Sequence, residues 1–261
     1  MKVSETSLVL FALAFLCPLV GAGIGFAVRR RLPEDHLSSN STDVIKLGAG
    51  LLATLVALIL GLLISSANTY RSAIQTEFKQ VLADIIQFDE YLRAYGPEAD
   101  DVRQHIRRTL WHAFQARWPN DDFGPKERPA GSQRHEVMNI QRQLLALQPT
   151  DAGQKWFQAQ ALEVSIGVAR LQLLLLSQEE AALAAPLLPV VALTLLLSAV
   201  IFGSFTLFVE PNATVVVELS LAALGIGGAT FLIVELNSPF EGLLQISSSG
   251  AHSVWQLLAQ P

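Results

Sequence analysis

The stretch LGAGLLATLVALILGLLISSA, residues 47–67, decides the fold, because no charged side chain lies between Lys46 and Arg71. As a helix, it is long enough to cross a hydrocarbon core of roughly 30 Å. The stretch RSAIQTEFKQVLADIIQFDEYLRAY, residues 71–95, contains no Pro or Gly. Its apolar residues alternate steps of four and three, the period of a helix with one buried face: Ile74, Phe78, Val81, Ile85, Phe88 and Leu92. We therefore predict one continuous helix from Leu47 to Tyr95 that begins in a membrane and ends outside it.

Small side chains recur along one face of the membrane part of this helix. They occupy every fourth position, which aligns them in a ridge: Ala49, Ala53, Ala57, Gly61 and Ser65. Such a ridge is typical of tight helix packing, within a protomer or between subunits, because small side chains let two backbones approach closely. A second interpretation is a pore wall, in which small side chains leave room for water or ions.

Three further apolar runs predict a polytopic membrane protein. They lie at about residues 8–28, 187–209 and 213–234, and with residues 47–67 they make four membrane helices. Over the whole chain 51% of the residues are apolar and the mean hydropathy is +0.40, too hydrophobic for an ordinary soluble domain. The first run could be a secretory signal peptide, but three arginines close it and favour a retained helix. Gly21 and Gly25 in this helix would let another backbone approach closely.

The polar middle of the chain, residues 71–185, predicts a helical bundle outside the membrane. After the turn signal Gly96-Pro97, apolar residues again step by three and four through several segments. The predicted fold class is therefore all-α: a polytopic membrane protein with four transmembrane helices and a helical-bundle insert between helices two and three. Residues 1–70 would hold helices one and two. Residues 186–261 would hold helices three and four and a short C-terminal tail.

Basic residues near the membrane ends predict the orientation. The loop at residues 29–46 holds Arg29, Arg30, Arg31 and Lys46, and cytoplasmic loops carry the excess of Lys and Arg. We therefore expect this loop to be cytoplasmic and the bundle at 71–185 to be periplasmic, in the inner membrane of a bacterium. A bacterial source is indicated by an Ala- and Leu-rich composition in which Arg outnumbers Lys.

Glu218 is the candidate functional residue inside the membrane, because a carboxylate within an apolar helix is costly. Repeated around an oligomer it would form an acidic ring that favours cations. Its place near the helix start would alternatively let its side chain reach the interface. Glu235, at the other end of the same helix, is predicted to be an ordinary interfacial acid.

The sequence does not indicate an enzyme. It contains no nucleophile motif and no phosphate-binding glycine loop. His105 and His112 stand seven residues apart, wider than the usual pair of metal ligands. We therefore predict no catalytic residue, no metal and no cofactor. Acidic and basic residues are interspersed at a net charge of -5, so no nucleic-acid partner is expected.

The stretch FLIVELNSPFEGLLQIS, residues 231–247, carries a family resemblance. It resembles the segment after the last membrane helix of bestrophin channels at five positions: Glu235, Asn237, Pro239, Phe240 and Gly242. With GLLISSANTY at residues 61–70, the chain resembles still more closely the bacterial bestrophin-like membrane proteins grouped as DUF4239. The resemblance implies four membrane helices with a helical insert, assembled into an oligomeric ion channel.

The chain departs from the bestrophin channels in two respects. It lacks the acidic run that forms the calcium clasp of animal bestrophins, so no calcium site is implied. The aromatic neck of those channels has no counterpart between Leu51 and Leu63. The resemblance also implies that the insert and both termini are cytoplasmic, which is opposite to the orientation predicted from the arginines.

Two functions from different classes follow from these observations. The first is an oligomeric bestrophin-like ion channel, or a channel-like membrane protein, embedded in the lipid bilayer as a homo-oligomer. The second is a non-conducting structural or sensory membrane protein whose helical bundle binds a protein partner.

Overall fold

The computed structural model of this protein describes residues 5–31, 39–119, 121–123, 136–181, 187–240 and 242–259. This part of the chain contains helices and no strand, so the predicted all-α fold is confirmed. The helices are α1 (Glu5–Arg29), α2 (Ser39–Tyr95), α3 (Asp100–Arg117), α4 (Glu136–Ala146), α5 (Ala152–Ala181), α6 (Leu187–Thr206), α7 (Ala213–Asn237) and α8 (Ser249–Leu258).

Four stretches of the described helices are long and apolar enough to cross a membrane. They are Glu5–Arg29, Thr42–Tyr95, Pro189–Thr206 and Ala213–Asn237. The predicted number of membrane helices is therefore confirmed, and the protein is a polytopic membrane protein.

The continuous helix predicted from Leu47 to Tyr95 is confirmed, and it begins earlier than expected. Helix α2 runs unbroken from Ser39, because the polar residues before Leu47 include no Pro or Gly that would stop it. It ends before Gly96, whose φ of 121° is a conformation that favours glycine.

The chain forms two compact units. The first comprises Met1–Ser72 and Glu180–Gln245, and the second comprises Ala73–Glu179 and Ile246–Pro261. The second unit thus contains most of the predicted bundle together with residues 246–261 of the predicted C-terminal tail.

In the first unit, α1 packs closely against α6 and also contacts α7. A Cβ added to Gly21 or Gly25 would lie within 3.0 Å of a backbone oxygen of α6, from Ala199 or Gly203 respectively. The hydroxyl of Thr206 also donates a hydrogen bond of 2.9 Å to the carbonyl oxygen of Ala22. The close approach predicted for Gly21 and Gly25 is therefore confirmed, and α1 is an integral part of this unit.

Helix α2 joins the core of the first unit through one side. Val56 is buried in a cluster with Ala22 of α1, Ile201 and Phe202 of α6, and Ala223 of α7. Leu52, Ala53 and Leu60 of α2 pack against the same cluster while staying half-buried.

In the second unit, the predicted apolar stripe of α2 forms the core. The stripe residues from Ile74 to Leu92 are buried, as are Val102, Ile106, Leu110 and Phe114 of α3.

A buried carboxylate lies beside this core: Asp89 accepts hydrogen bonds of 2.9 Å from Nε of both Arg93 and Arg103. The hydrogen bond that Arg103 donates to Asp89 raises the pKa of the Arg103 guanidinium above its usual value.

Helix α8 also packs within the second unit. Val254 and Leu258 are buried, and Arg93 donates a hydrogen bond of 3.2 Å to the carbonyl oxygen of Leu257. The His252 ring stacks on Phe123 with 4.2 Å between the centroids. Helix α8 is thus packed into the second unit.

Candidate functional site at the end of α7 and on α2

The small-residue face of α2, which we define as Ala49, Ala53, Ala57, Gly61 and Ser65, is covered only at its beginning. Ala49 is 3% exposed and Ala53 is half-buried, whereas Ala57, Gly61 and Ser65 are exposed. A Cβ added to Gly61 would meet no atom within 4 Å. The later part of this face is therefore exposed in the protomer.

A second exposed face of α2 carries large side chains. It consists of Leu51, Leu55, Leu58 and Leu62, each at least 51% exposed. At 100° per residue these leucines point away from Val56 and cover the part of the helix surface next to the exposed small residues Gly61 and Ser65. Helix α2 thus presents two exposed faces with different chemistry, one of small residues and one of leucines.

The family motif after α7 is organised around a buried carboxylate. Glu235 is 0% exposed, and its Oε2 accepts hydrogen bonds from the backbone N–H groups of Leu243, at 2.5 Å, and Leu244, at 3.4 Å. Gly242 has a φ of 78°, and a Cβ on it would lie within 3.0 Å of the carboxylate. The Glu235 side chain is therefore enclosed, because the chain turns back at Gly242, and its interfacial position stays a prediction.

The other motif residues close the end of the helix. The Asn237 side chain donates a hydrogen bond of 2.8 Å from Nδ2 to the carbonyl oxygen of Ile233. Pro239 is buried and Phe240 is 2% exposed. The structure therefore brings Glu235, Asn237, Pro239, Phe240 and Gly242 together at one helix end.

Arg71 of α2 completes this arrangement, and sequence reasoning missed it. Its Nε and Nη2 both donate to the carbonyl oxygen of Leu244, at 3.0 and 2.8 Å. The signal was visible in the sequence, because Arg71 is the first charged residue after the membrane stretch of α2. We call the group of Glu235, Gly242, Leu244 and Arg71 the α7 end clasp. The other carboxylate oxygen, Oε1 of Glu235, has no hydrogen-bond partner among the described residues.

Glu218 lies apart from the α7 end clasp, in a groove between the end of α6 and the first turns of α7. The groove has a volume of about 270 Å³ and is lined by Phe205 and Val209 on one side and by Val215 and Leu219 on the other. Glu218 itself is exposed. Its carboxylate makes no hydrogen bond or ion pair with the described residues.

Metal ligands are not gathered anywhere in the described parts of the chain. There, no group of three or more His, Cys, Asp or Glu side chains could hold a metal ion. His105 and His112 both lie on α3 and are half-buried.

The four apolar helices define the class: a multi-pass helical membrane protein, with α3, α4 and α5 between its second and third membrane stretches. The profile of the Bestrophin-like domain family matches residues 16–251, from within α1 to α8. The chain therefore belongs to the bestrophin-like family, and the Ala73–Glu179 part of the second unit lies inside the matched region. Comparisons with curated proteins and with solved structures gave no match.

Proposed function

We propose that this protein is an oligomeric bestrophin-like ion channel in which copies of α2 surround the ion path. Membership of the bestrophin-like family supports a channel-like role. The observation that carries the proposal is the small-residue face of α2, which the protomer leaves uncovered from Ala57 to Ser65.

The two exposed faces of α2 support this assignment on physical grounds. A face of leucines suits contact with lipid tails, which are equally apolar. A face of small residues offers lipid little to contact, and it gains more from close packing with another copy or from bordering a water-filled path. We therefore assign the leucines to lipid and the small-residue face to the oligomer and its pore.

Flux through liposomes tests the channel. Purified protein should carry ions across the bilayer, and Gly61→Leu should lower the flux at least tenfold by narrowing the path. The control is Leu62→Ile, which keeps the volume of a side chain on the leucine face and should leave flux unchanged. Flux equal to that of empty vesicles over a range of ions and voltages would refute the channel.

The alternative is a non-conducting structural or sensory membrane protein whose extramembrane unit binds a partner. The observation that favours it is Trp156 of α5, which is 53% exposed and packs edge-on against Tyr91, with 5.8 Å between the ring centroids. Exposed tryptophans are enriched at binding surfaces. Absent flux together with a partner whose binding is lost in Trp156→Ala would favour this function.

We also propose that the protein lies in the inner membrane of a bacterium, in the bestrophin-like group named DUF4239. The arginines at 29–31 support a cytoplasmic loop at 29–46 and a periplasmic bundle, whereas the bestrophin resemblance supports the reverse. Topology reporters fused after Arg31 and at Gly131 decide between them. A periplasmic reporter active at Arg31 would contradict the orientation that the arginines support.

A further inference from the structure

The groove that holds Glu218 combines an apolar wall with one unpaired anionic group. We propose that it binds a phospholipid with a primary ammonium headgroup, such as phosphatidylethanolamine, whose ammonium pairs with Glu218. The lipid would lay the first part of one acyl chain against Leu219, which lines the groove on the membrane-interior side of Glu218. This role is independent of ion conduction.

The depth of Glu218 suits a headgroup contact. Helix α7 begins at Ala213, so Glu218 lies five residues, or about 7.5 Å, along the helix axis. Helical side chains lean toward the N-terminus of their helix, which directs this carboxylate toward the headgroup layer. The same end of the helix pair carries the ion pair between Arg29 and Glu210, at 3.3 Å, as expected of charged side chains at the membrane surface.

The charge of the site selects the headgroup. An unpaired carboxylate at this level is costly, and Glu218 has no partner among the described residues. A primary ammonium supplies both a positive charge and N–H donors. The quaternary ammonium of phosphatidylcholine supplies the charge without donors, and the headgroup of phosphatidylglycerol has no cation. Phosphatidylethanolamine is therefore the best match to this carboxylate.

The surroundings of Glu218 on α7 are accessible to lipid. Val217 and Leu221 are 58% and 59% exposed. These apolar side chains flank the carboxylate on a membrane-spanning helix, so a lipid lying along α7 would contact both the groove and its rim.

Native mass spectrometry of the delipidated full-length protein tests the proposal. The probes are dioleoyl phosphatidylethanolamine, phosphatidylcholine and phosphatidylglycerol, which share the same acyl chains. We expect the wild type to retain the ethanolamine lipid about tenfold better than the other two, the size of a hydrogen bond to a charged group. Glu218→Gln should abolish this preference, and equal retention of the three lipids by the wild type would overturn the proposal.

Two further variants test whether lipid retention depends on the groove itself or on its surroundings. Glu210→Gln removes an acid at the same membrane end but outside the groove, and it should keep the preference. Thr214→Phe fills the groove and should lower retention of all three lipids. A loss of preference in Glu210→Gln but not in Glu218→Gln would overturn the proposal. So would a change of oligomeric state in Thr214→Phe with lipid retention intact, since another subunit would then occupy the groove.

Discussion

At the scale of single residues, Glu235 and Gly242 depend on each other. The Glu235 carboxylate can accept the backbone N–H groups of Leu243 and Leu244 only because the chain turns back at Gly242 with a positive φ. Any side chain at position 242 would overlap the carboxylate. Glu235 and Gly242 of the family motif are therefore both needed to form the α7 end clasp.

Gly242→Ala should destabilise the protein more than Gly228→Ala, a substitution at an open position of α7. A non-glycine residue in the left-handed region costs about 1–3 kcal/mol, and here the new methyl group would also displace Glu235. The measurement is thermal unfolding in detergent. The control is Gly228→Ala on α7, where a Cβ meets nothing within 4 Å. Equal melting temperatures for the two variants would contradict the prediction.

At the scale of elements, the contact between α1 and α6 depends on glycine at two positions. Gly21 and Gly25 face backbone atoms of α6, whereas a Cβ on Gly23 between them would meet nothing within 4 Å. The spacing of four residues places the first two glycines on one side of α1 and Gly23 on another. The GxxxG pattern therefore marks the side of α1 that α6 covers.

Gly25→Ala should therefore be costly and Gly23→Ala neutral or stabilising. Inserting a methyl group into a closely packed contact typically costs 1–3 kcal/mol, whereas Ala at an open helical position gains up to about 1 kcal/mol over Gly. Unfolding in SDS titrations measures both variants. If the Gly25→Ala protein were as stable as the wild type, the close contact between α1 and α6 would not contribute to stability, and the prediction would be wrong.

The buried ion pair of the second unit gives another prediction for the elements it joins. Asp89 holds arginines from α2 and α3, so Asp89→Asn should cost between about 1.5 and 3 kcal/mol, the range for a hydrogen bond to a charged group. The matched control is Glu90→Gln, because Glu90 is exposed on the same helix. Chemical unfolding followed by tryptophan fluorescence reports the second unit, and a loss no larger than that of the control would contradict the assignment.

At the scale of the whole molecule, the main prediction concerns assembly. If the small-residue faces of several copies converge, a cysteine at Ala57 should cross-link between subunits, and one at Leu58 on the leucine face should not. Cys17 is the only native cysteine, so both variants are made in Cys17→Ser protein and treated with a short bis-maleimide in lipid. A ladder of cross-linked oligomers is expected for Ala57→Cys. Equal cross-linking at both positions, or a monomer by light scattering, would argue against a pore lined by α2.

Much of the fold could be read from the sequence because the signals are local. The charge-free run at 47–67, the absence of Pro and Gly up to Tyr95 and the four-three spacing each act within a few turns of one helix. These signals predicted α2 and its buried stripe from Ile74 to Leu92. Three further apolar runs predicted the other membrane helices. The spacing of Gly21 and Gly25 likewise predicted a close contact, although it did not indicate that α6 would be the partner.

The sequence by itself thus determined which segments are helices and which helices are apolar enough to span a membrane, because both depend on residues near one another in the chain. Only the tertiary structure decided that Glu235 is enclosed, that Arg71 donates hydrogen bonds to the carbonyl oxygen of Leu244, and that Ser249–Leu258 forms α8. These depend on contacts between residues far apart in sequence: Arg71 and Leu244 are separated by 173 positions. No local period encodes such a pair, so the clasp appears only when the turn at Gly242 brings its members together.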